Sequence, residues 1–429
     1  MQLTEPHLDI KRQELAKKYS RLMRRLSLVE LAVVGAVLLA LAFSDASARM
    51  SHFLSFPQPW ASALYFVILV VVLGIIMMPL TYYQGFILPR RYGLSTQKPG
   101  AWLADRAKAP ALGILLGLGI VIVVYCLLDR FSGVWWLWAG VSLLLLSLLL
   151  TRLTPTLLLP IFFKLEPLDN LELKQRLMNL AKRARAQTVG VFTMDLSSKG
   201  TTANAMLAGL GKTRSIILSD TLLQQYTSEE IEVILAHELG HHLHRDIPKL
   251  IAVQAVMFLL AFYLADLVLK ASLMPLDFQG IADVAAFPLL FLSLGAFGLI
   301  VTPLINAYSR YLETSADEAA LELTADPQAF ITAMTKLTDQ NLAVADPSRW
   351  VEFLFYDHPP YTKRVGLARR YKSRLSLRAK RSNPTLADTP PRLPRHFVPR
   401  NDWHKSQVAA SPFRGKAPRN DDKHKEVSD

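Results

Sequence analysis

Six long apolar runs divide this chain of 429 residues. Each is close to the roughly 20 mainly apolar residues that a helix needs to cross the hydrocarbon core of a bilayer. Four runs precede a polar central region and two follow it. The pattern predicts a mainly α, polytopic α-helical membrane protein with the spans Leu26–Phe43, Ala61–Leu80, Ala111–Leu128, Val134–Leu150, Leu250–Leu269 and Phe287–Ile305.

The Lys and Arg residues of the loops predict the orientation of these spans, because such residues accumulate on the cytoplasmic side. A basic segment precedes the first span, which favours a retained anchor over a cleaved signal peptide. The next loop holds only Arg49, whereas the loop after it is rich in basic residues. We therefore expect a multi-pass protein of the inner cell membrane, with residues 153–249 in the cytoplasm.

Composition supports a membrane protein and argues against two other classes. Charged residues make up 19% of the chain, against about a quarter in soluble globular proteins. The net charge is +13, but residues 371–429 hold 14 Lys and Arg against 6 Asp and Glu, a net of +8. Most of the excess positive charge therefore lies in this C-terminal segment. The net charge does not require a basic binding surface in the rest of the chain, so we expect no nucleic-acid partner. The single cysteine, Cys126, cannot form an internal disulfide, so no oxidising compartment is implied.

The polar central region contains patterns of both helix and strand. Leu171–Ala186 has apolar residues at helical spacing, which predicts an amphipathic helix. The segments 189–196 and 214–220 are typical of short strands, and the Gly-, Ser- and Thr-rich stretch between them suggests turns around an edge strand. A further helix follows, with Thr227 as its cap. This region is therefore predicted to fold as helices around a small β-sheet.

That helix carries the motif AHELGHHLHRD at residues 236–246. His237 and His241 lie four residues apart on one helical face, so both imidazoles can bind one Zn²⁺. Glu238 lies beside them, placed to act on a water molecule rather than on the metal. The alternative is a chance H-E-x-x-H, but the helix cap and Gly240, which would leave space beside the metal, favour a zinc site. The two later histidines of the motif point to other faces and are not expected to be ligands.

A catalytic zinc site needs a third protein ligand. The segment SRYLETSADEAA, which begins at Ser309, offers Glu313 and Asp317 on one helical face. Two predicted spans separate this segment from His241, and an even number of crossings returns the chain to the same side of the membrane. Glu313 is therefore a candidate third ligand, although its spacing alone fits a solvated helix face equally well.

Together, His-Glu-Leu-Gly-His and S-R-x-x-E-x-x-A-D at 309–317 resemble the motifs of the type I CAAX prenyl endopeptidases, a family of membrane gluzincins. The resemblance extends over roughly Arg90 to Ala368. It implies a cytoplasmic gluzincin-type zinc metallopeptidase domain. Within that domain it assigns Glu313 as the third ligand and Asp317 as a catalytic residue close to the ligands, sometimes given the role of proton donor.

The same resemblance extends the site beyond these motifs. Asn204-Ala205 resembles the family's edge strand that holds the substrate backbone, and His358-Pro359, followed by Arg364, resembles a C-terminal motif near the active site. The resemblance implies that Asn204 and Ala205 bind an extended peptide or membrane-protein substrate, and that His358 and Arg364 stabilise the oxyanion. Taken alone, each of these residues is typical of an ordinary turn or surface position.

The expected reaction is peptide-bond hydrolysis with one Zn²⁺ per chain and Glu238 as the general base. Three features depart from the family pattern and leave the substrate open. Six spans are predicted where the eukaryotic members have seven, the N-terminus is predicted to be cytoplasmic, and the basic C-terminal tail resembles nothing in the family.

Three other interpretations stay open from the sequence. An intramembrane zinc protease would carry H-E-x-x-H inside a span and use a later Asp as a ligand. A quality-control membrane protease of the same clan would use the same chemistry, and only substrate profiling separates the two. A transporter or non-catalytic scaffold with an incidental motif would hold no stoichiometric zinc.

After Tyr371 the chain lacks apolar periodicity and is rich in Pro, Arg, Asn and Asp, which predicts a disordered basic tail. Such a tail is compatible with binding to anionic lipid of the bilayer or with no specific partner. Because the chain ends in Val427, Ser428 and Asp429 rather than a CAAX box, we expect no prenylation there. The predicted segments are the N-terminal membrane region (1–152), the catalytic segment with the H-E-x-x-H helix (153–249), two further spans (250–305), the third-ligand helix with the C-terminal part of the catalytic domain (306–371), and the tail (372–429).

Overall fold

The computed structural model describes residues 7–381, apart from residues 55, 210, 212 and 213. Its α-helices are numbered α1–α15 in chain order. They are α1 (Ile10–Ala42), α2 (Asp45–Phe53), α3 (Trp60–Tyr82), α4 (Leu88–Arg91), α5 (Pro99–Arg130), α6 (Trp135–Leu153), α7 (Leu159–Phe162), α8 (Leu171–Arg183), α9 (Asp220–Gln225), α10 (Ser228–Leu243), α11 (Asp246–Ser272), α12 (Phe287–Thr324), α13 (Pro327–Gln340), α14 (Arg349–Phe355) and α15 (Tyr361–Arg381). Two π-helical turns, Tyr83–Ile87 and Thr154–Leu158, join α3 to α4 and α6 to α7.

Six helical segments of the described residues are long and apolar enough to cross a membrane. They are α1, α3 with α4, α5, α6 with α7, α11, and α12 with the short turn before it. Each predicted apolar run coincides with one of these segments, so the predicted polytopic helical fold is confirmed. The last helix runs without a break through the predicted boundary at residue 305 and continues for 19 residues beyond it, to Thr324. A single continuous helix therefore joins the final span to the segment that carries Glu313.

Among the described residues, the two largest hydrophobic cores support the membrane spans and the catalytic part of the chain. One lies between the spans, where the aromatic side chains of Tyr65, Trp135 and Phe287 are fully buried. The other lies among α8, α10, α12, α13 and the sheet, and it includes Leu177 and Phe330. Burying a large apolar side chain of this kind stabilises a fold by roughly 1.5–3 kcal/mol. The second core therefore holds the motif helix α10 firmly against its neighbours.

The sheet has four strands in the order β1-β2-β4-β3. Strands β2 and β4 are parallel, whereas β1 pairs with β2, and β3 with β4, in antiparallel register. This confirms the small sheet predicted for the polar central region, and it places β3 at an edge of the sheet. The strand bounds are β1 (Leu165–Pro167), β2 (Gly190–Met194), β3 (Ala205–Ala208) and β4 (Ser215–Ser219).

Helix α15 continues ten residues beyond Tyr371, the position after which the sequence predicts the tail. Residues 372–381 keep helical geometry, and Lys372 Nζ donates a hydrogen bond to Gln328 Oε1 at 3.0 Å. The rest of the predicted tail, residues 382–429, lies outside the described part of the chain.

Candidate active site

Helix α10, which carries the H-E-x-x-H motif, begins with a capping box. Thr227 Oγ1 accepts a hydrogen bond from the N–H of Glu230, and the Thr227 N–H donates to the carboxylate of Glu230 at 2.9 Å. This cap satisfies the backbone N–H groups of Thr227 and Glu230, which would otherwise lack partners at the helix start. Three turns later, the rings of His237 and His241 lie side by side, with their centroids 5.0 Å apart. The helix itself therefore presents the two imidazoles as a pair.

Helix α12 packs directly against α10, and the contact depends on Gly240. A Cβ atom at this position would lie 2.9 Å from both Cα and O of Ala316. Any side chain would force the two helices apart. Gly240 therefore leaves space for α12, and the sequence interpretation that it leaves space beside a metal is wrong. The close approach brings Glu313 of α12 opposite the two histidines.

The three predicted ligands converge. His237 Nε2 lies 3.2 Å from Glu313 Oε2, and His241 Nε2 lies 3.3 Å from Glu313 Oε1. Among the described residues, these three form the one group whose metal-binding atoms all lie within 4.8 Å of one another. Tetrahedral zinc with ligands at about 2.0–2.2 Å separates its ligand atoms by roughly 3.3 Å. The spacing of the cluster suits such an ion.

Two buried carboxylates hold the imidazoles from behind. His237 Nδ1 donates a hydrogen bond to Asp317 at 2.8 Å, and His241 Nδ1 donates to Asp246 at 2.9 Å. Because an ionised carboxylate only accepts, each ring carries a proton on Nδ1 and turns Nε2 towards Glu313. This is the arrangement by which carboxylates orient histidines that bind metals.

The cluster also favours a positive charge at its centre. Glu313 Oε2 is buried and accepts no hydrogen bond, although it lies close to His237 Nε2. Burial lowers the pKa of His237, but Asp317 and Glu313 together raise it to about 9. A metal ion held by His237, His241 and Glu313 would supply this positive charge and would give Glu313 Oε2 a partner. The residues present therefore fit a metal ion.

Arg364 and His358 both reach this cluster, but they contact it differently. Arg364 donates from Nε and Nη2 to the two oxygens of Asp317, at 2.8 and 2.5 Å. Asp317 is buried, and its oxygens are fully engaged by Arg364 and His237. His358 is exposed, with Nε2 3.3 Å from Glu313 Oε1 and Nδ1 bonded to Asp357. His358 thus faces the open side of the cluster, whereas Asp317 lies behind it.

A cavity of about 390 Å³ opens beside the cluster, and Glu238 and His358 line it. Asn204 and Ala205 line the same cavity, and Asn204 is held by hydrogen bonds in both directions with Ser219. Strand β3 begins at Ala205 and pairs on one side only within the described part of the chain. The apolar part of the lining includes Leu222, Ile234, Met334, Leu337 and Val344.

One wall of this cavity is supported by the first helix, which the sequence did not suggest. Gln13 Nε2 donates to the carbonyl of Ala343 at 3.2 Å, and Gln13 Oε1 accepts from the N–H of Ala345 at 3.1 Å. Ala343 and Val344 line the cavity. The polar start of α1 is therefore part of the support of the site, and not merely a basic leader to the first span.

Two family models match adjoining parts of the chain. Residues 167–372 match the model described as peptidase family M48. Residues 3–164 match the model described as CAAX prenyl protease N-terminal, five membrane helices. Residues 167–372 of this chain belong to peptidase family M48. As an M48 protein it is a membrane-integrated metalloprotease, and its family implies a bound metal. The N-terminal model is described as having five membrane helices, whereas residues 3–164 of this chain contain four candidate spans.

Named M48 relatives align over about two thirds of their lengths. The uncharacterized metalloprotease YhfN of Bacillus subtilis is 29% identical over 302 residues, which cover 70% of this chain and 71% of YhfN. The CAAX prenyl protease 1 homolog of Oryza sativa subsp. japonica is 29% identical over 308 residues, or 67% of this chain and 68% of that protein. CAAX prenyl protease 1 of Saccharomyces cerevisiae is 26% identical over 307 residues, or 67% of each chain.

The crystal structure of S. mikatae Ste24p has the same fold. It superposes with a TM-score of 0.73 and 21% sequence identity, and the alignment covers 86% of this chain and 92% of that chain. The predicted fold class is therefore confirmed, and the two family models confirm the family resemblance.

Asp246 is a residue of the site that the sequence reading missed. It is the first residue of α11, it is buried, and it accepts hydrogen bonds from both His241 Nδ1 and Lys249 Nζ at 2.9 Å. Its position within the motif AHELGHHLHRD was visible, but the turn between α10 and α11 that directs it back to His241 was not. Arg245 adopts a left-handed conformation in that turn, with φ 54°.

We expect Asp246→Asn to weaken metal binding by about 10–100-fold. A neutral amide orients the His241 ring less firmly than a carboxylate does, and it does not raise the basicity of the ring in the same way. The measurement is metal affinity in competition with a chelator. Asp277→Asn, an exposed change just beyond the opposite end of α11, serves as the control. Equal affinities of the two variants would contradict the positioning role.

Proposed function

We propose that this M48 protein is a zinc endopeptidase that acts like a CAAX prenyl protease on extended segments of membrane-associated proteins, at the cytoplasmic face. One observation carries the proposal. The side chains of His237, His241 and Glu313 converge beside a cavity that Glu238 also lines, and this cavity is bordered by a sheet edge.

The donor set supports zinc as the metal. Two imidazole nitrogens and one carboxylate form a ligand set found in catalytic zinc sites, which leave a further position open. When bound, zinc lowers the pKa of a water molecule and polarises the scissile carbonyl. His237, His241 and Glu313 are the residues that would hold it.

The remaining side chains have separable roles in the proposed reaction. Glu238 accepts a proton from the attacking water and delivers it to the leaving amine. His358, on the open side of the cluster, is placed to donate a hydrogen bond to the oxyanion. Asp317 fits a positioning role rather than that of a proton donor, because it is buried and both its oxygens are occupied. Arg364 neutralises Asp317 and is therefore less suited than His358 to the oxyanion.

The shape of the cavity supports an extended peptide as the substrate. A peptide can add to the free edge of β3 through backbone hydrogen bonds, a common mode of peptide recognition. Asn204 and Ala205 lie at the end of that edge which enters the cavity. The apolar lining formed by α9, α10 and α13 then suits an aliphatic side chain next to the cleaved bond.

The cytoplasmic orientation in the inner cell membrane is supported by charge. Seven Lys and Arg residues precede the first apolar run, and the start of α1 that contains them contacts the catalytic part of the chain. The catalytic part and this basic segment therefore share one side of the membrane, which the positive-inside rule assigns to the cytoplasm.

Two synthetic peptides test the proposed function. The purified protein in neutral detergent should hold one zinc per chain and cleave a farnesylated CAAX peptide faster than the same peptide without farnesyl. Glu238→Gln should cleave both peptides about 10²–10⁴-fold more slowly. Equal cleavage of both peptides would favour a membrane quality-control protease of the same clan. A preparation that holds zinc yet cleaves neither peptide would contradict the proposed substrate class.

We expect the predicted tail to be dispensable for catalysis. All the residues proposed above to bind metal or substrate lie before residue 365, so removal of residues 382–429 leaves them intact. Zinc content and cleavage of a short peptide in neutral detergent should be unchanged. Any effect should appear only with anionic lipid and should fade as salt is added. A folded, zinc-loaded truncated protein that no longer cleaves would show that the tail takes part in catalysis or substrate binding.

A further inference from the structure

Helix α14 has its polar and apolar faces reversed relative to a helix that packs on a soluble domain. Its carboxylate, Glu352, is only 8% exposed and pairs with Lys363 Nζ at 2.5 Å. Its large apolar side chains point away from the protein, and Trp350 is 75% and Phe355 47% exposed. A helix on the surface of a soluble protein normally buries its apolar face and exposes its charges. We call the outward-facing set, Trp350, Phe353, Leu354 and Phe355, the α14 surface.

The position of the α14 surface along α12 is fixed by hydrogen bonds between the two helices. Asn306 Nδ2 donates to the carbonyl of Leu354 at 3.0 Å, and Arg310 Nη1 donates to the carbonyl of Glu352 at 3.0 Å. Asn306 is the first polar residue after the apolar run of the last span, which ends at Ile305. Helix α14 is therefore attached where α12 passes from the bilayer into the catalytic part.

The α14 surface is also continuous with the lipid-facing side of that span. Leu299 lies seven residues before Asn306 and hence on the same face of α12. Its side chain is 54% exposed, as expected of a residue that contacts lipid. On this face of α12, the exposed apolar surface of the span therefore leads directly to α14.

We propose that α14 is an interfacial helix whose α14 surface inserts into the headgroup region of the surrounding bilayer, on the catalytic side. Trp and other aromatic side chains are enriched at this depth, and amphipathic helices bury their apolar faces there. Lipid contact also explains why a cluster of large apolar side chains stays exposed next to a buried carboxylate.

This contact would tie the active site to the membrane surface. Two residues separate the end of α14 from His358, whose Nε2 lies 3.3 Å from Glu313. Tyr356, in the same connection, lines the cavity. The bilayer would thus hold one border of the cavity at a fixed height, which suits substrates that are themselves bound to the membrane.

Spin labels can measure the depth of α14 without any assay of cleavage. In a Cys126→Ala background, single labels at Trp350→Cys and Phe355→Cys are compared, in lipid nanodiscs, with a label at Glu318→Cys. Glu318 is exposed on α12 itself, 12 residues beyond Asn306, or about 18 Å further from the membrane along the helix. Collision rates are measured with oxygen, which concentrates in lipid, and with a water-soluble nickel chelate.

We expect the oxygen-to-nickel ratio at positions 350 and 355 to exceed that at position 318 several-fold. Equal ratios at the three positions would place the α14 surface in water and overturn the proposal. Protection from both reagents would place a protein segment over the surface and would overturn it too. The zinc content of each labelled variant shows whether the fold around the cluster is retained, and because no substrate is involved, the result does not depend on the proposed peptidase specificity.

Discussion

Replacing His241 with Ala is expected to remove both the bound metal and all measurable peptide cleavage. The imidazole is one of only three ligands in the described cluster, and its Nε2 faces Glu313 at 3.3 Å. Without it, His237 and Glu313 offer two ligands, one fewer than a catalytic zinc site uses. Metal content of the purified protein and cleavage of a peptide are measured on the same preparation.

The adjacent His242 provides a matched control. It lies on the same helix, but its Nε2 lies 3.3 Å from the carbonyl of Arg185 and away from the cluster. His242→Ala therefore makes the same chemical change without removing a ligand, and should keep its metal and its activity. Full metal occupancy in the His241 variant would exclude His241 from the site. Loss of metal from both variants would point to unfolding of α10 rather than to the removal of a ligand.

The spans could be predicted from sequence because the bilayer imposes one requirement on every crossing helix. A run such as Leu250–Leu269 has the length and polarity that the hydrocarbon core demands, whatever it packs against, and α11 contains it completely. The start of α10 could be predicted for a similar reason. Its signal is local, because the capping box is formed by Thr227 and Glu230, which are three residues apart. Features that depend on neighbouring residues in the chain, or on the surrounding bilayer, can be predicted from a single sequence.

The candidate ligand Glu313 was accessible by a different argument. Its distance from His241 along the chain is large, but two spans between them return the chain to the same side of the membrane. The number of spans therefore limits the candidate third ligands to carboxylates on the same side of the membrane as His241. It does not show that the side chains of His241 and Glu313 meet. The close contact of Gly240 with Ala316, which brings α10 and α12 together, is a matter of packing that the sequence alone did not reveal.

Contacts that depend on tertiary packing were missed for the same reason. Asp246 supports His241 only because the chain turns sharply between α10 and α11. Gln13 lies more than 300 residues from the loop it supports, and nothing in its neighbourhood marks it. The reversed faces of α14 become visible only once Glu352 is seen to be buried against Arg310 and Lys363.

Replacing Glu238 with Gln is expected to leave the metal in place while lowering the rate of cleavage by about 10²–10⁴-fold, the usual contribution of a general base. Gln has nearly the same size and still forms hydrogen bonds, but its amide cannot accept the proton of the attacking water. Glu238 lines the cavity and is not one of the three clustered ligands, so metal binding should not depend on its charge. The rate and the metal content are measured together at one pH.

Glu229→Gln separates this role from a general effect of removing a carboxylate from α10. Glu229 is exposed in the first turn of the same helix and pairs with Arg176 on the surface, so its loss should change activity little. A Glu238→Gln variant that keeps activity within about tenfold of the wild type would rule out the general-base role, because that is below the usual range of such catalysis. A variant that loses its metal would instead make Glu238 a ligand, and the third position of the cluster would then have to be reassigned.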